Sequence, residues 1–424
     1  MHRSEGGPLT LRIARSVSEI EEIRGIWTAW QSNPTSDIDN YLLIVRVRPE
    51  IQRPHVMIIY RDGRPDSILV GRLERTRISF KLGYLKLCQP HVRILCFMHG
   101  GFLGNQSAEN SEFVTREIVR CLSRGEADVA RLEYVRTDSS LFEAAKGVPG
   151  ILCRDHFAPT QLQGCLRLSG SFEEFLGSLS RKEQHNLRRQ ARRLQTDFLG
   201  NMRIQCFRQE NQIEDLIRNT EAIGRKTYQR GIGVGFHDSL ETRNWLRMAA
   251  QRGTLRACIL YLVDQPCAFM IGNRYQQTLY GVFMGYDPQY TKYSLGSQLL
   301  MHWIREAFES NGEQRVSEIA LGLGDARYKR AIYNHLWRKS LVYIFAPTLK
   351  GLRLNLQRTV TCLIDRSARR LVTAAGFLEK LKKVWRLRAR VSKGRSSHPA
   401  GAHVPIPAHL EPDDETAPET SAST

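Results

Sequence analysis

The chain has 424 residues, 42% hydrophobic and 25% charged, a composition ordinary for globular protein and a length that favours two domains over one core. No run of about eighteen apolar residues occurs, which excludes a spanning helix, and the first residues lack the apolar stretch of a secretory signal. The expectation is therefore a cytoplasmic protein. The formal net charge of +19 points to a phosphate-bearing or polyanionic partner: coenzyme A, a nucleotide-sugar, tRNA or an anionic membrane surface.

In chain order, residues 18–31 predict a helix, with Ile20, Ile23, Ile26, Trp27 and Trp30 at helical spacing. Short apolar runs at 55–60, 67–72 and 94–98 read as strands, 112–124 as a helix and 127–134 as a strand. His99-Gly100-Gly101, after the third run, reads as a structural turn. A strand opens at Leu166, and Ser171 is placed to cap a helix starting at Phe172. A strongly basic helix over 181–198 follows, then helices over 213–229 and 240–252. Strands are expected at 254–263, 268–275 and 278–286, a helix at 296–310, a strand at 315–321, a helix at 326–334 and a last strand at 341–345. This alternation argues for an α/β (α+β) fold of mixed sheets flanked by helices.

Nine cysteines are present, with no CxxC pair and none beside a histidine at zinc-finger spacing. The expectation is free thiols in a reducing compartment and no metal. Residues 350–395 carry a net charge of +12 and apolar residues at roughly helical intervals. They predict a basic helix, for which two readings stay open: binding to anionic lipid, or docking on the folded body. Residues 396–424, rich in Pro, Ser, Ala and acids, read as a disordered acidic tail.

Two segments carry a family resemblance. The run LSRKEQHNLRRQARRL at 179–194 resembles the basic helix that opens the catalytic lobe in the CelD-like and BioF-like branch of GNAT acyltransferases, FemAB-like proteins among them. Gly285-Tyr286-Asp287-Pro288, then Tyr293-Ser294-Leu295-Gly296-Ser297, then Gly322-Leu323-Gly324-Asp325-Ala326-Arg327-Tyr328-Lys329 resemble that branch's "YDP…ySpG…fg.Gd..YK" series. The resemblance implies two GNAT-like lobes, at 1–165 and 166–349, the second of them catalytic. It implies an acyl-CoA donor, acetyl-CoA or longer, and a small-molecule or glycan acceptor from exopolysaccharide or cell-envelope chemistry. Aminoacyl-tRNA as donor is the enzymatic alternative, and a non-catalytic membrane-associated accessory protein is the other.

The same resemblance suggests the site residues. The thioester would lie where the strands at 278–286 and 315–321 part, with the donor's pyrophosphate at the start of the next helix. Physics agrees with that placement, because Ser294, Gly296 and Ser297, after Gly285, present small side chains and backbone N–H groups at the positive end of a helix dipole. Asp287 and Pro288 read as turn formers, while Tyr286 is placed to line the acceptor side. Asp325 or Glu318 would take the nucleophile's proton, Tyr328 would return one to the leaving thiolate, and Lys329 would bind phosphate or a carboxylate. In this chain Ala320 stands where the family often has an Asp, which is why Glu318, two residues earlier on the same strand face, enters the list.

Overall fold

The structure is a computed structural model, and it describes residues 7–82, 85–227, 230, 235–322 and 326–374. The chain forms two compact units, each a mixed sheet flanked by helices. They are not contiguous halves. The first unit takes residues up to 160, then 208–255, and the chain from 338; the second takes 161–207 and 256–337. The expected boundaries at 165 and 349 therefore miss an insertion, whose helices bury their apolar faces in the first unit.

In the first unit the sheet order is β1 (Leu9–Ala14), β3 (Val56–Arg61), β4 (Arg64–Arg77), β7 (His91–Gly104), β8 (Val129–Arg136) and β15 (His335–Phe345), with β2 (Ile51–Pro54) alongside β4. Only β7 and β8 run parallel among these neighbours, and α4 (Ala108–Ser123) connects them. One face is covered by α4 and α5 (Ser140–Gly147) around Val114, Ile118, Leu122 and Leu141. The other is covered by α1 (Val17–Glu21), α2 (Arg24–Trp30) and α3 (Ile38–Val47) around Ile20, Trp27 and Tyr41. The expected helix at 18–31 is thus two short helices, broken at Glu22 and Ile23. The small pair β5 (Phe80–Leu82) and β6 (Leu85–Cys88) is separate.

In the second unit the order is β9 (Thr160–Arg167), β14 (Glu318–Ala320), β13 (Thr278–Tyr286), β12 (Gln265–Tyr275), β11 (Leu255–Leu262) and β10 (Met202–Phe207). Ser171 caps α6 (Phe172–Ser178) and Ser180 caps α7 (Arg181–Asp197), each in a reciprocal box with the Glu three residues on. The insertion carries α8 (Ile213–Gly224) and α9 (Leu240–Gln251). Then come α10 (Leu295–Glu309), which packs Leu299, Leu300, Trp303 and Ile304 onto the sheet, and α11 (Arg327–Ile332). Strand β14 is shorter than the expected 315–321, since Arg315 closes a 3-10 turn instead. The basic helix is α12 (Leu349–Ala374); residues 375–395 of that expected helix and the whole expected tail lie outside the described residues.

Candidate active site

Strand β13 is the axis of the site. It pairs with the parallel strand β14 over three positions only, Thr278 with Glu318, Leu279 with Ile319 and Tyr280 with Ala320. Strand β14 then ends, while β13 continues to Tyr286 on its other neighbour, β12. The two parallel strands therefore part at Tyr280 and Ala320. At the same point β13 bulges: Gly281 faces Gly272 and Phe283 faces Ile271, which leaves Val282 as the extra residue. A bulge frees backbone groups from the ladder where strands diverge, and the divergence itself makes a slot.

Two glycines make this geometry possible. A Cβ on Gly272 would lie 1.9 Å from the Tyr280 carbonyl oxygen and 2.7 Å from the Trp303 ring, so only glycine lets α10 approach the bulge. A Cβ on Gly281 would meet the Leu321 side chain at 3.0 Å. Just past the divergence, the Leu321 N–H donates to Tyr333 Oη at 3.0 Å. Tyr333 follows α11, and its own N–H donates to the Lys329 carbonyl at 2.9 Å. The helix bearing Tyr328 and Lys329 is thereby tied to the slot.

Strand β13 runs out into a turn built as its residue types demand. The Asp287 N–H donates to the Cys267 carbonyl at 2.8 Å, and its carboxylate accepts from the Gln289 N–H at 3.1 Å. Asp287 is only 4% exposed, so it is the turn former the sequence suggests. Ser294 then adopts left-handed backbone (φ 50°, ψ 49°) and opens α10 without capping it by its side chain. Its carbonyl accepts from the N–H groups of Ser297, at 2.9 Å, and Gln298, at 3.2 Å. A Cβ on Gly296 would touch only the Tyr286 ring, at 3.7 Å, so the approach to the helix start is open. Gly285, Tyr286, Ser294, Gly296 and Ser297 are thus brought together where β13 ends and α10 begins.

The basic helix α7 ends beside this turn. Tyr293 is buried, and its Oη donates to Asp197 Oδ2 at 2.7 Å. Phe198 packs edge-on against the Tyr293 ring at 5.2 Å, and the Arg193 guanidinium stands 5.7 Å from its centre. Lys292 lies 4.6 Å from the same ring. Two cations therefore flank the turn that leads into α10.

The other expected residues are placed differently. Glu318 stands at the foot of β14, where its carboxylate accepts from Arg167 Nε at 3.0 Å across the pairing with β9. It is about 7 Å along the strand from the divergence, and level with Thr278 rather than with Tyr286. Lys329 is 2% exposed, with Nζ 5.8 Å from the Tyr328 ring centre, so it sits inside the unit rather than on an open phosphate-binding surface. Tyr328 is half-buried. Asp325 lies outside the described residues. Sequence reasoning passed over Tyr333, Gly272 and the bulge at Val282. The glycine in an otherwise apolar strand was a readable sign of close backbone approach. Tyr333 carried none, because its contact to Leu321 exists only once α11 has folded back. The Tyr280 phenol, at the divergence, is pushed up to about 12, chiefly by burial, with Glu318 adding to the effect.

Residues 181–330 match the family model described as an acetyltransferase (GNAT) domain. That match spans about a third of the chain, and the fold is a mixed α/β one, of mixed sheets flanked by helices. Among solved structures it is similar to a conserved protein from Bacteroides thetaiotaomicron, at 12% identity, 79% coverage of this chain, 100% of the other and a TM-score of 0.48. It is also similar to FemX, at 10% identity, 77% and 96% coverage and a TM-score of 0.48. A tandem GNAT protein from the clavulanic acid biosynthesis pathway is similar at 10% identity, 80% and 99% coverage and a TM-score of 0.43. No curated protein matches the chain in sequence.

Proposed function

We propose that the protein transfers an acyl group from acyl-CoA to an amine or hydroxyl of a small-molecule or glycan acceptor. The observation that carries this reading is the parting of β13 and β14 at a bulge, leading directly into the open start of α10. In this reading the thioester enters the slot beside Val282. The pyrophosphate meets the start of α10, the positive end of that helix. Arg193 and Lys292 add charge of the right sign. Backbone N–H groups freed by the bulge would steady the oxyanion as the acceptor attacks, a contribution typically worth a few kcal/mol. Tyr328 or Tyr333 would return a proton to the leaving thiolate, and Asp325 would take one from the nucleophile.

Calorimetry with acetyl-CoA and longer acyl-CoAs tests the donor. Gly296→Trp, whose Cβ would touch only the Tyr286 ring at 3.7 Å, should abolish binding while leaving thermal stability within a few degrees of the parent. An absence of binding by every acyl-CoA would defeat the proposal. It would move the donor to an aminoacyl-tRNA, which the exposed Arg188, Arg189, Arg192 and Arg193 on α7 would suit, or leave a non-catalytic accessory protein.

Within the described residues no helix is long and apolar enough to cross a membrane. Helix α12 nevertheless shows Leu356, Val360, Leu363 and Ile364 on one exposed stripe, 44–64% accessible, among basic residues. That stripe supports peripheral binding to an anionic membrane as part of the same proposal.

A further inference from the structure

Helix α10 and the edge of the second unit's sheet share a group of side chains that acyl transfer does not use. Cys206 on β10 and Cys258 on β11 are direct cross-strand partners, with their sulfurs 2.8 Å apart. His302 and Glu306 stand one turn apart on α10, hence on one face of that helix. The His302 Nε2 lies 3.7 Å from Cys206 Sγ, and one ligand atom from each of the four residues falls within 4.8 Å of all the others. Cys258 is buried and the other three are half-buried, so the group is shielded yet reachable.

We propose that Cys206, Cys258, His302 and Glu306 bind one zinc ion, which clasps α10 to the edge strand β10. Two thiolates, an imidazole and a carboxylate form a donor set that suits a borderline-soft d10 cation, and four protein ligands close a structural rather than a catalytic site. With zinc–sulfur bonds of about 2.3 Å and zinc–nitrogen bonds of about 2.0 Å, the edges of the tetrahedron are ~3.3–3.8 Å. The Cys206–His302 separation already has that length. The two sulfurs would spread by about 1 Å as the ion enters and their protons leave.

A second group with metal-like composition shows what distinguishes the first. His55, Cys121 and Glu126 also cluster, but the Glu126 carboxylate already accepts from Arg15 at 3.0 Å and Arg53 at 2.8 Å. A cation there would face two guanidinium groups. The contribution of the first site is positional. His302 lies about 9 Å along the helix axis from Gly296, too far to act on the donor but well placed to fix the helix that opens at Gly296. Among the described residues, strand β10 has a sheet neighbour on one side only, and the zinc would hold its other edge.

The test is elemental analysis of the full-length, tag-free chain, purified in reductant without chelator. About one zinc per chain is expected, and cobalt exchange should give the thiolate charge-transfer and tetrahedral d–d bands of a Cys-ligated ion. Cys206→Ser and His302→Ala should each cost more affinity than the ~10–100-fold typical of groups that merely orient a ligand. Cys153→Ser, a thiol far along the chain in the first unit, should retain the zinc. If the ligand variants fail to fold, the cobalt spectrum of the parent protein decides alone. Zinc far below one per chain after dialysis against the ion, cobalt spectra without thiolate bands, or a Cys206–Cys258 disulfide in a peptide map would each overturn the site. None of these outcomes depends on what the protein acylates.

Discussion

Lys339 on β15 and His99 on β7 form a pair inside the first unit that nothing in the local sequence announces. Lys339 Nζ donates to His99 Nε2 at 2.9 Å, and the His99 Nδ1–H donates to the Tyr134 carbonyl at 3.3 Å. His99-Gly100-Gly101 is not the expected turn but an irregular stretch within β7, where the pairing with β4 shifts register between Leu69 and Gly71. Its role is structural, since the His99 and Gly100 carbonyls accept from the Thr35 and Ser36 hydroxyls. Burial draws the Lys339 ammonium down to about 7, with Arg136 adding to the effect, and draws His99 down to about 3. An unfolded lysine keeps its proton to about 10.4, so between those values the unfolded chain binds more protons than the folded one. Stability should therefore rise with pH between about 7 and about 10.4, and the whole of that gain is lost again as pH falls from the upper value to the lower. The slope from this one group is at most about 1.4 kcal/mol per pH unit. Urea denaturation at several alkaline pH values should show it, and Lys339→Met should flatten it; an unchanged slope in the variant would exclude Lys339 as its source. Nearby, Arg72 is wholly buried and its Nε donates to Glu74 at 2.5 Å. Glu74→Gln would remove the nearer of the two carboxylates, Glu74 and Glu133, that face that guanidinium, and should cost about 3–5 kcal/mol in the same denaturation assay.

At the scale of elements, helices depend on small residues and on their unburied faces. Gly272→Ala would drive a methyl group into the Tyr280 carbonyl and the Trp303 ring, so α10 must shift or the bulge must open. A loss of about 1–3 kcal/mol in stability is expected, together with weaker acyl-CoA binding measured by calorimetry. Full affinity in a destabilised variant would separate the fold of the bulge from the donor site. Helix α12 makes the opposite case. Its inner face is fixed by Asn355, which donates to the Leu152 and Arg154 carbonyls, and by Arg358, which grips Asp155 at 2.9 and 3.1 Å. The outer stripe is free of that work, so Leu356→Glu with Leu363→Glu should leave thermal stability nearly unchanged. The same pair should reduce co-sedimentation with anionic vesicles at low salt. Equal pelleting of parent and variant would remove the stripe from membrane binding.

For the whole molecule, periodicity showed what lies near in sequence and concealed what the chain brings back. The strands at 278–286, the helix at 296 onward and the basic helix after Ser180 were readable, because apolar spacing and capping serines are local signals. The short helix α3, with its Asp37 cap, and the edge strand β10 were not read, since β10 (MRIQCF) is short and half-polar. Without β10, the nearness of Cys206 to Cys258 was invisible, and so the absence of CxxC spacing argued against a metal. The same omission hid the insertion. Phe207 and Ala257 are paired at the end of the β10–β11 ladder, so residues 208–255 leave and rejoin the second unit at neighbouring points. Between them, Arg48 grips Glu241 at 2.7 Å and the faces of α8 and α9 bury Leu216, Ile217, Trp245 and Leu246 within the first unit. A fragment of residues 161–337 expressed alone should therefore expose that apolar face and aggregate. Replacing 208–255 in the fragment by an Asn-Gly hairpin turn, which suits two antiparallel strands ending side by side, should restore a soluble, cooperatively unfolding domain. Circular dichroism and light scattering on the two fragments make the comparison. If the turn-closed fragment stays molten while the longer one folds, the insertion is a working part of the second unit.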